Sequence, residues 1–416
     1  MTAISRVILV ALLSSGMTGV AIAKEKAAAV APGAADGKNL SKPARTAIVA
    51  AQAQQTAGDN AGALATIRAV RAAGGLNETD RFYLAQTQLG IGQTLKDDAV
   101  LEEALKESID SQFLPGDQRE KYLLVLAQKA QARRDYTSAT QFYERLVQIA
   151  PQNPQYQLGL ALIYRDLKQN QKAIDVFTKA IAASETSGQK APEAWYQTRL
   201  QIAYDGNLQA AVAPASMGLV TAYPTPANWS NTLLIFRDAN KTADQLDLDV
   251  LRLMHALGAL GAERTWQEYA SLALEKGLPG EAKAILDEGI AKRTLTGTRP
   301  MEKEISTTAG GKIVADKASL PGLERDAAKA PNGKAALATG DAYYGYGNYI
   351  KAAEMYQLAA SKAAGVDLST VNLRLGAARA MAGDKAGATA AFQAVNSGPR
   401  QQLAQFWLIR TNGKVA

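Results

Sequence analysis

Two consecutive stretches of this chain carry the same marks at an unbroken spacing of 34 residues, and that period restricts the fold more than any other feature. From about Glu120 to Gln152, Leu123, Leu126, Ala127 and Ala130 fall on one helical face. Asp135-Tyr136 offers a turn, and Ala139, Tyr143, Leu146 and Pro151 follow. The same marks return, 34 residues on, as Leu160, Ala161, Tyr164, Ala173, Phe177 and Ala180. The pattern has a mechanical cause: a small residue stands where a second helix crosses the first, and an aromatic plugs the space between units. It also explains how 416 residues can fold without one oversized core, because each unit buries its apolar face on its neighbours.

Further copies follow the same order. One reads Ala50-Ala51, Gly58-Asp59, Ala63 and Ile67; a central one reads Trp266, Tyr269-Ala270, Gly277, Ala282 and Leu286. Near the C-terminus come Gly340-Asp-Ala-Tyr343, Gly347-Asn-Tyr349, Ala352, Tyr356 and Ala359, then Leu375-Gly376, Gly383-Asp384, Ala388 and Phe392. On these residues the chain resembles the tetratricopeptide-repeat family, over about two thirds of its length. The resemblance implies an all-α fold, an α-solenoid of stacked antiparallel helix pairs in a right-handed superhelix whose concave face usually binds peptides or protein partners. The motif residues are packing residues, so they speak for the fold and not for a ligand. Between Asn77 and Pro115 the unit looks stretched. From Ala191 to Tyr223 only Trp195, Ala211 and Gly206-Asn207 fit, and from Pro226 to Gly261 a Leu-rich amphipathic stretch (Leu246, Leu248, Leu251, Met254, Leu257) replaces the motif. These read as degenerate helix pairs.

Composition agrees with helices. Hydrophobic residues make up 47% but aromatics only 6%, and much of the remainder is alanine, the best helix former. The absence of cysteine excludes disulfides, thiolate metal sites, thiol nucleophiles and a lipid-acceptor residue. The net charge of +7 is spread among mixed signs, which predicts a solvated surface and no nucleic-acid patch. The lone histidine, His255, sits in Leu253-Met-His-Ala-Leu257 and reads as structural, which argues against Ser-His-Asp, Cys-His and His-rich zinc arrangements. Asp97-Asp98, Glu102-Glu103 and Glu302 read as solvated charges. The glycines from Gly340 to Gly347 lie on a helix and its turn, without the strand that a phosphate loop requires. No cofactor, metal or catalytic residue is expected.

The first 23 residues form a signal peptide: Arg6, an apolar run over residues 7–13, and Ala21-Ile-Ala23 as the cleavage site before Lys24. Cleavage would leave no membrane span and place the mature chain in the periplasm of a Gram-negative bacterium. Residues 24–45 read as a disordered leader, 46–295 as an N-terminal array, and 335–416 as a C-terminal pair with a capping helix carrying Leu403, Phe406, Trp407 and Ile409. Between them, residues 296–334 are rich in Gly, Pro, Ser, Thr and Lys, including Gly310-Gly311 and Pro331-Asn-Gly333, and read as a linker or lid.

The expected role is a periplasmic scaffold that binds a protein or peptide, possible settings being envelope assembly or secretion. The alternatives are a component of exopolysaccharide or envelope biogenesis machinery and a carboxylate-dependent cell-wall glycan enzyme. Candidate groove residues are the first-helix positions flanking the packing marks: Lys121, Gln128, Gln131, Gln155 and Arg165, then Arg264, Gln267, Asp341 and Tyr344. They contain no repeated Lys/Asn set of the kind that clamps a C-terminal carboxylate.

Overall fold

The computed structural model describes residues 39–240 and 244–413; the signal peptide, its cleavage site and most of the leader lie outside the described residues. The leader is shorter than expected. Ser41 Oγ accepts the Ala44 N–H and starts the first helix at Lys42, four residues before the expected start of the array, and Ala44 is fully buried.

The chain divides at Leu167 into two units, and every described element is a helix or a turn. The first unit holds α1 (Lys42–Thr56), α2 (Asn60–Ala73), α3 (Glu78–Leu95), α4 (Asp98–Ser108), α5 (Gly116–Ala132), α6 (Tyr136–Ile149) and α7 (Pro154–Asp166). The second opens with α8 (Asn170–Thr186), α9 (Glu193–Asp205), α10 (Gln209–Ala222), α11 (Pro226–Asn240), α12 (Asp244–Ala256), α13 (Glu263–Glu275) and α14 (Pro279–Ala291). It continues with α15 (Pro300–Lys329), α16 (Lys334–Gly345), α17 (Tyr349–Lys362), α18 (Leu368–Met381), α19 (Lys385–Gln393) and α20 (Gly398–Asn412). Within each unit neighbouring helices pair in sequence, the all-α solenoid arrangement the period demands.

In five of the pairs the turn is written in two residues. A left-handed residue ends the first helix and an Asp or Asn caps the second: Gly58-Asp59, Lys96-Asp97, Arg134-Asp135, Gly347-Asn348 and Gly383-Asp384. Each cap side chain takes an otherwise orphaned N–H of the next helix, worth about 0.5–2 kcal/mol. Across the turn, a small first-helix residue meets a bulky one 16 positions on. Ala51 and Ile67, Ala127 and Tyr143, Ala203 and Leu219, Ala270 and Leu286, Gly340 and Tyr356, and Gly376 and Phe392 are all buried. A Cβ on Gly340 would lie 2.6 Å from the Tyr356 ring, and one on Gly376 2.5 Å from Phe392. The degenerate 191–223 stretch thus keeps the crossing rule through Ala203 and Leu219, although it keeps little else of the motif.

The linker reading of 296–334 is overturned. That segment is α15, 30 residues and therefore about 45 Å long, with Glu302 capping its start through Thr296 and the Arg299 N–H. Its buried residues, Glu302, Ile305, Ala309, Leu320 and Ala327, share one face although the middle ten residues, 310–319, bury nothing. The N-terminal half packs on α13 and α14, the C-terminal half on α16 and α17. Gly310, Gly311 and Gly322 are tolerated because they face away from the packing stripe, where a glycine costs about 0.5–1 kcal/mol but no contact, while the exposed Pro321 lacks the N–H that would bond the Lys317 carbonyl.

Nor do residues 335–416 form a separate C-terminal pair. In the second unit α18 and α20 return to α10 and α12, so the array closes on itself. Phe406 stands edge-on to Trp229 and Phe236 of α11, with ring centroids at 5.9 and 6.0 Å, and Arg410 Nε donates to the Ala256 carbonyl. Trp407 stacks on Phe392 at 5.7 Å. Phe406 thus covers a surface some 170 positions earlier in the chain, whereas Trp407 covers the adjoining pair.

Candidate partner-binding surface

In the first unit, polar rungs about one repeat apart tie each first helix to the next one or to the turn that leads into it. Gln112 Nε2 donates to Glu78 at 2.9 Å, the Tyr122 hydroxyl to Gln86 at 3.3 Å, and the Tyr156 hydroxyl to Glu120 at 2.5 Å. Burial and the Glu120 carboxylate together hold the Tyr156 phenol well above its ordinary range, so it stays a donor at any physiological pH. The Tyr164 phenol, which donates to Glu144 at 2.7 Å, is pushed up to about 12 by the same two causes. These rungs and the buried crossings hold the first-helix side rigid.

Between the rungs stand the residues singled out from the sequence. Lys121 and Gln128 lie seven apart on α5, hence on one face, and Gln155 on α7 is the 34-residue equivalent of Lys121. All three side chains are exposed, and none has a partner among the described residues. Gln131 and Arg165 form a second equivalent pair with narrower freedom. Gln131 accepts the Tyr143 hydroxyl at 3.2 Å, and Arg165 is turned onto its neighbour Asp166 at 2.8 Å. The structure thus brings Lys121, Gln128 and Gln155 onto one open first-helix surface, with Gln131 and Arg165 beside it.

The second unit treats its four candidates differently. Arg264 is exposed at the start of α13. Gln267 donates to both Glu263 and Glu302 at 3.0 Å and so forms a rung between α13 and α15. Asp341 and Tyr344 are turned toward the interior of the unit. Tyr344 is buried, and Asp341 sits in a charge network assembled by the closure of the unit.

In that network Arg252 of α12 takes both oxygens of Glu281 at 2.8 and 2.7 Å and reaches Asp341 at 3.1 Å. Arg374 of α18 bonds Asp249 at 2.8 Å and Asp341 at 2.7 Å. Tyr269 donates to Glu281 and Tyr356 to Asp341, each at 2.7 Å, while the Arg252 guanidinium lies 4.5 Å from the Tyr344 ring centroid. Burial would raise the Asp341 carboxyl, but the charges of Arg374 and Arg252 outweigh it and hold the group below the usual carboxylate range. A cleft of about 350 Å³ remains beside the network, walled by Leu248, Leu278 and Leu323 with Asp316 and Asp326 in its lining.

The sequence did carry a signal for this site. Arg252 interrupts Leu251-Arg-Leu-Met254, and Arg374 interrupts Leu373-Arg-Leu375, so each charge is flanked by core residues. His255 lies on the same helix and is half-buried. Its Nε2 is 2.7 Å from Glu288, and its ring stands edge-on to Trp266 and Tyr269, a packing role. Among the described residues, no group of three or more His, Cys, Asp or Glu side chains is placed to hold a metal ion, and no helix is long and apolar enough to cross a membrane.

No protein-family model matches the chain, and no curated protein matches it. Among solved structures it is similar to Naa15/Naa10 bound to HypK-THB, at 14% identity and a TM-score of 0.31 over 86% of this chain; it spans 65% of that longer one. It is also similar to a tetratricopeptide repeat protein from Parabacteroides merdae ATCC 43184 (13% identity, TM-score 0.24, 81% of this chain and 99% of that one). The P58(IPK) TPR domain is a third (15%, 0.20, 82% and 98%). At these scores the likeness says nothing of what this chain binds. What makes the chain tetratricopeptide-like is its own packing, in which helix pairs cross at a small residue and a bulky one 16 positions apart and are stacked at a period near 34.

Proposed function

We propose that this chain is a non-catalytic protein-binding scaffold, exported to the periplasm by cleavage after Ala23, whose partner docks on the first-helix face of the first unit. The observation that carries the reading is the contrast between neighbours on that face. Glu120, Tyr122 and Tyr156 are locked into rungs, whereas Lys121, Gln128 and Gln155 project unpaired from the same two helices. A rigid platform that presents free donors loses little side-chain order on binding. Its mixed polar character suits a polypeptide surface better than an apolar helix. The setting we favour is envelope assembly or secretion, where a soluble scaffold would hold components together.

The test is a crosslinking pull-down from the envelope fraction with Lys121→Glu combined with Gln155→Glu. Capture of the wild-type partner set should be lost while the helical spectrum and melting temperature stay unchanged, because exposed side chains of this kind contribute under about 1 kcal/mol to folding. The captured bait should begin at Lys24. Tyr143→Ala should lose binding and stability together, since that ring fills the space a Cβ on Gly159 would enter at 2.2 Å. An unchanged capture profile in the double variant would remove this surface from consideration.

A further inference from the structure

Helix α15 leaves a gap beneath its middle. Its inward face runs in steps of seven through Glu302, Ala309, Asp316 and Leu323. The first two are buried, yet Asp316 is only half-buried and Leu323 stays 40% exposed. What these two line is the cleft of about 350 Å³, walled on its other sides by Leu248 of α12, Leu278 at the start of α14 and alanines of α16. That volume lies within the range of small-molecule sites, about 300–1,000 Å³. The cleft opens to solvent where Gly277, Asp326 and Ala338 are exposed in its lining.

Its walls are apolar and its ends are acidic. Asp316 spends one oxygen on the Tyr346 hydroxyl at 2.6 Å, and Asp326 has no side-chain partner among the described residues. The ionic network at the back of the cleft sums to −1, and Asp316 and Asp326 with the exposed Lys276 add another −1, so the lining and the network together carry −2. Asp316 and Asp326 stand ten residues apart on one helix, about 15 Å along its axis, with Leu323 between them. We propose that this cleft binds a linear aliphatic diamine, one ammonium on Asp316 and the other on Asp326, its methylene stem laid against Leu323, Leu248 and Leu278. Two cationic ends match the −2 and make charge-assisted hydrogen bonds, while the stem covers leucine surface that the chain itself leaves unfilled. A single lysine of a polypeptide would leave one carboxylate unmatched. This site lies in the second unit and does not depend on the first-helix surface proposed above.

The test is isothermal titration calorimetry on the full mature chain at physiological ionic strength, with α,ω-diaminooctane, octylamine and a capped Gly-Lys-Gly peptide as probes. The diamine should bind saturably at one site. Octylamine and the peptide, each lacking one ammonium contact, should bind at least about tenfold more weakly. Asp316→Asn and Asp326→Asn should each weaken the diamine by a similar factor, and Ala338→Trp, which fills the cleft and keeps every charge, should abolish binding. Glu304→Gln, at an exposed position near the start of α15, should change nothing. An equal loss in Glu304→Gln would reduce the effect to diffuse surface charge and overturn the proposal. Full affinity in Asp326→Asn or Ala338→Trp would overturn it as well, and so would peptide binding as tight as the diamine's, which would assign the cleft to a polypeptide side chain. Should Asp316→Asn fail to fold, the Asp326 and Ala338 variants decide it.

Discussion

The closure of the second unit can be tested at Arg374. Replacing it with Leu keeps the stem's apolar contacts and removes two bonds, to Asp249 at 2.8 Å and to Asp341 at 2.7 Å. The network holds three carboxylates (Asp249, Glu281, Asp341) and two guanidinium groups (Arg252, Arg374), a formal charge of −1, which the substitution takes to −2. Asp249, 3% exposed, would then have only Arg252 at 3.9 Å. Removing one partner of a buried pair costs about 3–5 kcal/mol, because the other charge is left in low dielectric. Arg374→Leu should therefore lower the unfolding free energy of the second unit by that much, read as a fall in its urea midpoint. Arg374→Leu with Asp249→Leu should recover most of the loss, since replacing both charges with apolar groups removes the stranded ion. Equilibrium unfolding followed by tryptophan fluorescence reads this directly, because Trp229 and Trp407 are buried in the closed region. If α18 stood free of α12, Arg374 would be a surface residue and its loss would cost under about 1 kcal/mol. A value that small, or a double variant as weak as the single, would refute the closure.

Glycine position separates the crossing rule from the α15 assignment: Gly340→Leu should cost about 1–3 kcal/mol by forcing the Tyr356 ring aside, whereas Gly310→Ala with Gly311→Ala should stabilise α15 by about 0.4–1 kcal/mol per site, both read by denaturant melts. If the double alanine were silent or destabilising, the middle of α15 would not be helical. The first unit should weaken in acid. The Arg133 side chain holds the Glu102 carboxyl down to about 2 against burial, so its contribution is present above the ordinary carboxylate pKa and lost as pH falls toward 2. Glu102→Gln should lower the melting temperature near neutrality and flatten its fall over that window, so that variant and wild type converge as the pH approaches 2.

The sequence by itself determined the repeat and therefore the class of fold. A period of 34 with small and bulky residues at fixed places is a local rule, and Ala127 with Tyr143 or Gly340 with Tyr356 obey it without help from the rest of the chain. The two-residue turns were equally legible, because Gly58-Asp59 and Gly383-Asp384 encode a left-handed step and a cap in adjacent letters. Composition misled at α15, where Gly310-Gly311 and Pro321 mask a single buried face whose residues stand three, four, seven or more positions apart. The site divided along the same line. Lys121, Gln128 and Gln155 are exposed because their own helix dictates it, and a helical wheel finds them. Asp341 and Tyr344 occupy comparable places on α16, yet Tyr344 is buried and Asp341 is tied into ion pairs, because α12 and α18 are brought to them from 89 and 33 residues away. Only tertiary structure could decide that: nearest-neighbour packing fixes each pair, while whether an array stays open or closes depends on contacts such as Arg374 with Asp249, 125 residues apart.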